Sequence, residues 1–178
     1  MAKRPNILKL ATKISLESLT YTGITYNDPE YRILAPIVTD DMCSVAMHMR
    51  LEAPRTAAEL ARRCSADVNF VQKQIDKLVE IGFARSRTTD GVLGYYYPIW
   101  VPGIMEGILS NNEQCEKYPD LGYSFEEYTR RRIELVAPTL SSGKLGMMFM
   151  RVMPVMSAIE NNSRTASYDE ISTLIENA

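Results

Sequence analysis

Between residues 30 and 51 apolar side chains recur at steps of three and four: Ile33, Leu34, Ile37, Val38, Met42, Val45, Ala46 and Met49. That spacing predicts an amphipathic helix with one buried face. Pro36 is tolerated in a first turn but not in a helix interior, so the helix is expected to begin near Ala35, with Asp40 and Asp41 close to its N-terminal end. The pattern breaks at Ala53-Pro54 and restarts behind Thr56. Thr56 and Glu59 have the spacing of a capping box, and Leu60, Ala61 and Cys64 give a short helix over 57–64 its inward face. Ser65-Ala66-Asp67 reads as a tight connection in which Ser65 or Asp67 caps a helix over 68–81. The apolar side of that helix is expected to hold Val68, Phe70, Val71, Ile75, Leu78 and Val79, and Gly82 stands where a C-cap would end it. A strand over 83–87, a Thr88-Thr89-Asp90-Gly91 turn and a second strand over 92–100 follow, with Asp90-Gly91 the hairpin signal. Three helices, the last two separated by three residues, and then a hairpin make the order of a winged helix-turn-helix.

The flanks are less regular. Residues 1–29 read as an N-terminal arm, with a short helix near 7–19 and then an irregular stretch closed by Asp28-Pro29, free to pack on the core or on a partner. Residues 101–178 read as a helical extension with one short strand segment. A short apolar helix is expected over 104–109. A longer helical region over 111–132 breaks near Tyr118-Pro119 and has Phe125, Tyr128 and Ile133 inward. A loop over 137–146, a strand candidate over 147–156 and a last helix over 168–176, capped by Ser167 with Glu170, complete the chain. The fold class predicted is mainly α with a small β-hairpin wing: a winged helix-turn-helix over 30–100 plus a C-terminal helical extension.

Composition narrows the functions. The chain has 178 residues, 46% hydrophobic and 24% charged, ordinary for one large or two small folded domains. No run approaches the roughly 18 to 20 consecutive apolar residues of a membrane span, and no apolar stretch follows the basic N-terminus as in a secretory signal. A cytoplasmic protein without membrane association is therefore expected. Three scattered cysteines, Cys43, Cys64 and Cys115, and the single histidine, His48, are too few and too dispersed for a zinc site or an iron-sulfur cluster. No cofactor or metal is expected on this chain. The adjacent pairs Asp40/Asp41 and Glu126/Glu127 do not face each other on a helix, so they make no acid-base pair, and His48 has no nucleophile context. The chain is expected to be non-catalytic.

The net charge of −2 supplies no global field to draw the protein onto nucleic acid. DNA binding would put the 68–81 helix in the major groove, with Asn69, Gln72, Lys73, Asp76 and Lys77 toward bases and Arg85 and Arg87 near phosphates, and Arg50, Arg55, Arg62 and Arg63 add basic character around it. From Asp67 to Gly82, however, Lys73 and Lys77 stand against Asp67, Asp76 and Glu80, a net of −1. Since phosphate contacts dominate affinity, that favours a protein-docking module over a DNA-binding regulator, which remains the alternative, with Cys43 or Cys64 as a redox link. In Tyr95-Tyr96-Tyr97, strand alternation predicts two rings packed and one exposed. The five methionines over 147–156 suit packing better than a soft metal, and Arg130, Arg131 and Arg132 are expected to form a solvated face paired with Glu126, Glu127 and Glu134.

Several segments carry a resemblance. They are Ile33-Leu34-Ala35-Pro36-Ile37-Val38-Thr39-Asp40-Asp41-Met42, Val101-Pro102-Gly103-Ile104-Met105-Glu106, Glu116-Lys117-Tyr118-Pro119, Phe125-Glu126-Glu127-Tyr128-Thr129-Arg130, Met150-Arg151-Val152-Met153-Pro154-Val155 and Ser167-Tyr168-Asp169-Glu170-Ile171. Together they resemble the N-terminal winged-helix region of ferredoxin-type [4Fe-4S] and flavin-dependent oxidoreductases of anaerobic bacteria. In that family, cluster-binding cysteines and a flavin- and pyridine-nucleotide-binding part follow. This sequence stops about where those cysteines would begin and has no Gly-x-Gly-x-x-Gly fingerprint, so no ligand or cofactor contact carries over to any position here. The resemblance implies docking onto redox domains or a sister subunit, and the apolar 147–156 segment with the last helix is expected to form the docking surface or a homodimer contact.

Overall fold

The computed structural model describes residues 3–18 and 23–141. Apart from 139–141, these belong to the compact unit Met1–Pro138. The elements run α1 (Pro5–Glu17), α2 (Pro29–Ile37), α3 (Asp40–Ala46), α4 (Ala57–Cys64), α5 (Val68–Glu80), β1 (Arg85–Thr89), β2 (Val92–Tyr96), α6 (Met105–Leu109), α7 (Asn112–Lys117) and α8 (Asp120–Ser141). The chain is thus mainly α with a small β-hairpin wing. The glycines at 143 and 146, the methionine-rich strand candidate and the last helix lie outside the described residues.

The N-terminal helix forms a layer of the core. Ile7, Leu10, Ala11 and Ile14 share one face of α1 and are fully buried, where α1 packs on α2 and α3. Just ahead of it, the Arg4 guanidinium donates to the carbonyls of Ala35 (2.9 Å) and Val38 (2.8 Å) and pairs with Asp40 at 3.2 Å. Those carbonyls are ones that the end of α2 leaves without intrahelical partners.

The expected single helix beginning near Ala35 is two helices. Pro29 opens α2, Pro36 falls in its last turn, and Val38 and Thr39 are extended before α3 begins. Past Pro36 the ladder makes one more bond, Val38 N–H to the Leu34 carbonyl at 2.9 Å, before the chain extends, and the Thr39 hydroxyl then accepts the Met42 N–H at 3.2 Å as a fresh N-cap. Asp40 and Asp41 lie in the first turn of α3, as their position suggested.

The helix-turn-helix follows its sequence signals closely. Thr56 and Glu59 form both halves of the capping box, Ser65 closes α4 in the left-handed region, and the Asp67 carboxylate accepts the N–H groups of Asn69 (2.8 Å) and Phe70 (3.1 Å). α5 packs on α3 and α4 through Val71, Gln74, Ile75 and Leu78. Val68, Phe70 and Val79 are exposed instead of inward, at 43%, 37% and 39%. Phe70 precedes Val71 and Val79 follows Leu78 by one residue, which turns each about 100° off the buried stripe, and Val68 sits at the first helical position, beyond the core.

The wing pairs Arg85 with Tyr96 through Thr89 with Val92, turning at Asp90 and Gly91, both with positive φ. Arg55 bridges Tyr95 and Leu51 bridges Tyr97, so the segment before α4 lies along β2. This third segment explains why none of the three tyrosines is exposed: Tyr95 is half-buried, Tyr96 and Tyr97 are buried. Trp100, expected in the second strand, lies beyond it in a non-helical connector, fully buried, with its indole N–H on Ser15 Oγ at 3.2 Å and its ring 5.7 Å from that of Tyr128.

The extension closes over the same core. Leu121, Phe125 and Tyr128 of α8 are buried, at steps of four and three. The next position on that face is Arg132, whose guanidinium donates to the Tyr128 hydroxyl, so the apolar stripe ends there. Ile133, expected inward, is accordingly 59% exposed. α8 also continues through Pro138 to Ser141, over the start of the loop expected from 137. Core residues thus come from both sides of positions 30 and 100, the expected limits of the winged helix.

Candidate interaction surface

The outward face of α5 carries Asn69, Lys73, Asp76 and Lys77, all exposed, with Val68 and Phe70 in its first turn. Gln72 is not free on this face: its amide donates to Asp76 (2.7 Å) and to the Tyr95 hydroxyl (3.3 Å). Arg62 and Arg63 are exposed at the end of α4. Among the described residues, Arg62, Arg63, Lys73 and Lys77 form no salt bridge.

The two wing arginines are engaged internally. Arg85 donates to the Gly103 carbonyl at 3.2 Å. Arg87 pairs with Glu52 at 3.1 Å, donates to the Tyr96 hydroxyl at 3.1 Å and lies over that ring, 4.6 Å from its centroid. The structure therefore brings Arg62, Arg63, Asn69, Lys73, Lys77, Arg85 and Arg87 to the surface, the two wing arginines also bonded within the fold, and holds Gln72 half-buried against Asp76 and Tyr95. The wing tip adds exposed Val92 and Leu93.

A second polar cluster lies where α1 meets the 47–55 segment. Lys13 donates to the carbonyls of Met47 (3.1 Å) and Met49 (2.6 Å), and Glu17 accepts from the Tyr97 hydroxyl. Burial lowers the Lys13 pKa, partly countered by Glu17, and burial with the same hydrogen bond raises that of Tyr97. His48 is held below its ordinary value by burial and by Lys13, Arg63 and Arg55, which keeps it neutral at neutral pH. The thiols are poor redox candidates. Burial, with help from Asp40, pushes Cys43 up to about 11, and burial raises Cys64 as well, so neither favours the reactive thiolate.

The triple arginine splits its roles. Arg130 pairs with Glu126 at 2.6 Å, as expected for a solvated face, but Glu127 pairs with Arg32 of α2. Arg131 reaches Asp28 at 2.8 Å and Glu30 at 3.5 Å. Glu30 is fully buried, and its Oε1 has no hydrogen-bond partner among the described residues. A signal for this was present: Glu30 precedes Ile33, Leu34 and Ile37 on one helical stripe, a charge on a buried face.

Among the described residues no group of three or more His, Cys, Asp or Glu could hold a metal ion, and no helix is long and apolar enough to cross a membrane. No protein family, curated protein or solved structure matches the chain.

Proposed function

We propose that this chain is a non-catalytic winged-helix module that docks onto another protein through the outer face of α5 and the wing. The observation that carries the reading is the pair Val68 and Phe70, exposed on the first turn of α5, the turn that would meet base edges in a DNA complex. Exposed aromatic and aliphatic side chains beside Lys73 and Lys77 have the makeup of a protein interface, an apolar centre with a charged rim. The ion pair of Arg87 with Glu52 supports it by neutralising one of the cations a DNA-binding wing would use. The sequence resemblance makes redox domains or a sister subunit of an iron-sulfur and flavin oxidoreductase the proposed partner, acting in the cytoplasm.

A photo-crosslinking residue at position 70 in the full chain, expressed in the native cell, tests this. A discrete protein adduct from position 70, absent when the residue is at Lys9 on the exposed side of α1, is expected. Adducts to DNA alone, or equal labelling from both positions, would contradict it. The second reading, a winged-helix DNA-binding regulator, is favoured by the four cations Arg62, Arg63, Lys73 and Lys77, which have no salt-bridge partner among the described residues.

A further inference from the structure

A groove of about 670 Å³ lies between the start of α2 and the α7–α8 junction. None of its lining residues falls between 37 and 116, so it shares nothing with the α5 and wing surface. Its volume is in the range of small-molecule sites, roughly 300–1,000 Å³. Four tyrosines line it: Tyr26, Tyr31, Tyr118 and Tyr123. The Tyr31 hydroxyl is fixed by the Arg4 N–H at 3.0 Å, and Tyr26 meets the Tyr31 ring edge-on with centroids 5.0 Å apart, so this wall is preorganised. Tyr123 is 74% exposed, with a large aromatic surface open to a ligand.

The charges in the groove are unevenly committed. Arg32 is paired with Glu127. Lys3 and Lys117 form no salt bridge among the described residues. Each ammonium lies over a tyrosine ring instead, Lys3 at 5.2 Å from Tyr26 and Lys117 at 5.3 Å from Tyr118. Asp120 offsets one of these charges, leaving the lining with Lys3, Arg32 and Lys117 against Asp120 and Glu127. Ammonium groups resting on aromatic faces are held near the groove while keeping their hydrogen-bond donors for an anion.

We propose that this groove binds an aromatic phosphate, a planar ring received by the tyrosines with its phosphate met by the Lys3 and Lys117 ammoniums. Ring stacking on tyrosine and a charge-assisted contact to each lysine are complementary, so a ligand with both parts binds better than either part alone. A metal ion fits poorly, since one of the two carboxylates is already taken by Arg32.

Isothermal titration calorimetry of the full chain with AMP, phenyl phosphate, adenosine, inorganic phosphate and a proline-rich peptide tests the proposal. AMP or phenyl phosphate is expected to bind at least about tenfold more tightly than adenosine or inorganic phosphate. Comparison of the two separates a nucleotide from a simpler aryl phosphate as the source. Tyr123→Ser and the double variant Lys3→Ala/Lys117→Ala alter exposed side chains, so their thermal melts are expected to match the parent while affinity falls by about tenfold or more. No saturable binding of either aromatic phosphate, binding unchanged in both variants, or saturable binding of the peptide alone would overturn it.

Discussion

Gly82→Ala is expected to destabilise the protein by about 3–5 kcal/mol, as much as a large core truncation. Gly82 ends α5 with φ of +80°, and a Cβ placed on it would lie 2.1 Å from the backbone carbon and oxygen of Gly107. No rotamer change relieves a clash with backbone. α6 would have to move away, and Ile104 and Ile108, both fully buried, would lose their cover. The natural control is Gly91→Ala at the hairpin tip. Gly91 has a similar φ, +77°, with nothing within 4 Å, so only the left-handed backbone strain of about 1–2 kcal/mol is expected there. Urea denaturation of both variants separates the contributions. A Gly82 variant no less stable than the Gly91 variant would mean that the α5–α6 approach is not part of the folded core.

Arg131→Ala is expected to cost about 2–3 kcal/mol near neutral pH, below the full range for a broken buried pair because Glu30 can take up a proton instead of remaining charged. Burial is the main influence on Glu30 and raises its pKa, against its own N–H and Arg131. Asp28 moves the other way: burial opposes its charge, but the Thr25 hydroxyl and N–H and the Arg131 guanidinium outweigh it and hold the carboxyl below its ordinary range. The signs follow from proton linkage. A carboxyl with a raised folded pKa makes stability fall as pH rises from its unfolded value to its folded value. Without Arg131 the Glu30 value rises further, so the variant's deficit is expected to shrink on acidification from pH ~7 to pH ~5, still above the ordinary glutamate range of about 4.3. Asp28 contributes stability above its unfolded value and loses it only in stronger acid, so it does not mask the trend. Equal deficits at both pH values would show that Glu30 is not the group left stranded.

The elements that were legible in the sequence are those fixed by local chemistry. The Thr56–Glu59 box, the Asp67 cap, Gly82 and the Asp90-Gly91 turn each act within four residues, and each stands where its spacing put it. What failed was periodicity without a tertiary frame. Ile33 to Met49 reads as one stripe because α2 and α3 both bury their faces against the same core, and only Pro36 with Thr39 marks the break. Phe70 and Val79 are apolar residues on a polar face, which composition alone cannot separate from core. On the candidate surface, Asn69, Lys73, Lys77, Arg62 and Arg63 were legible as exposed positions of two helices. The engagement of Arg87 was not, because Glu52 lies 35 residues away and meets it only through the wing. The tyrosine-lined groove joins residues near 30 to residues near 120, a pairing that no local pattern carries.

The most direct test of the docking role is duplex DNA binding by fluorescence anisotropy, with random and upstream-region fragments across a salt series. Four cations of α4 and α5, Arg62, Arg63, Lys73 and Lys77, form no salt bridge among the described residues, and a log–log salt slope of about −3.6 is expected if these four alone engage phosphates. Weak binding at low salt, lost near physiological salt and without preference among fragments, is the result the docking role predicts. Tight binding that prefers particular fragments and is weakened by Lys73→Ala and Lys77→Ala would contradict it and make α5 a DNA-reading helix.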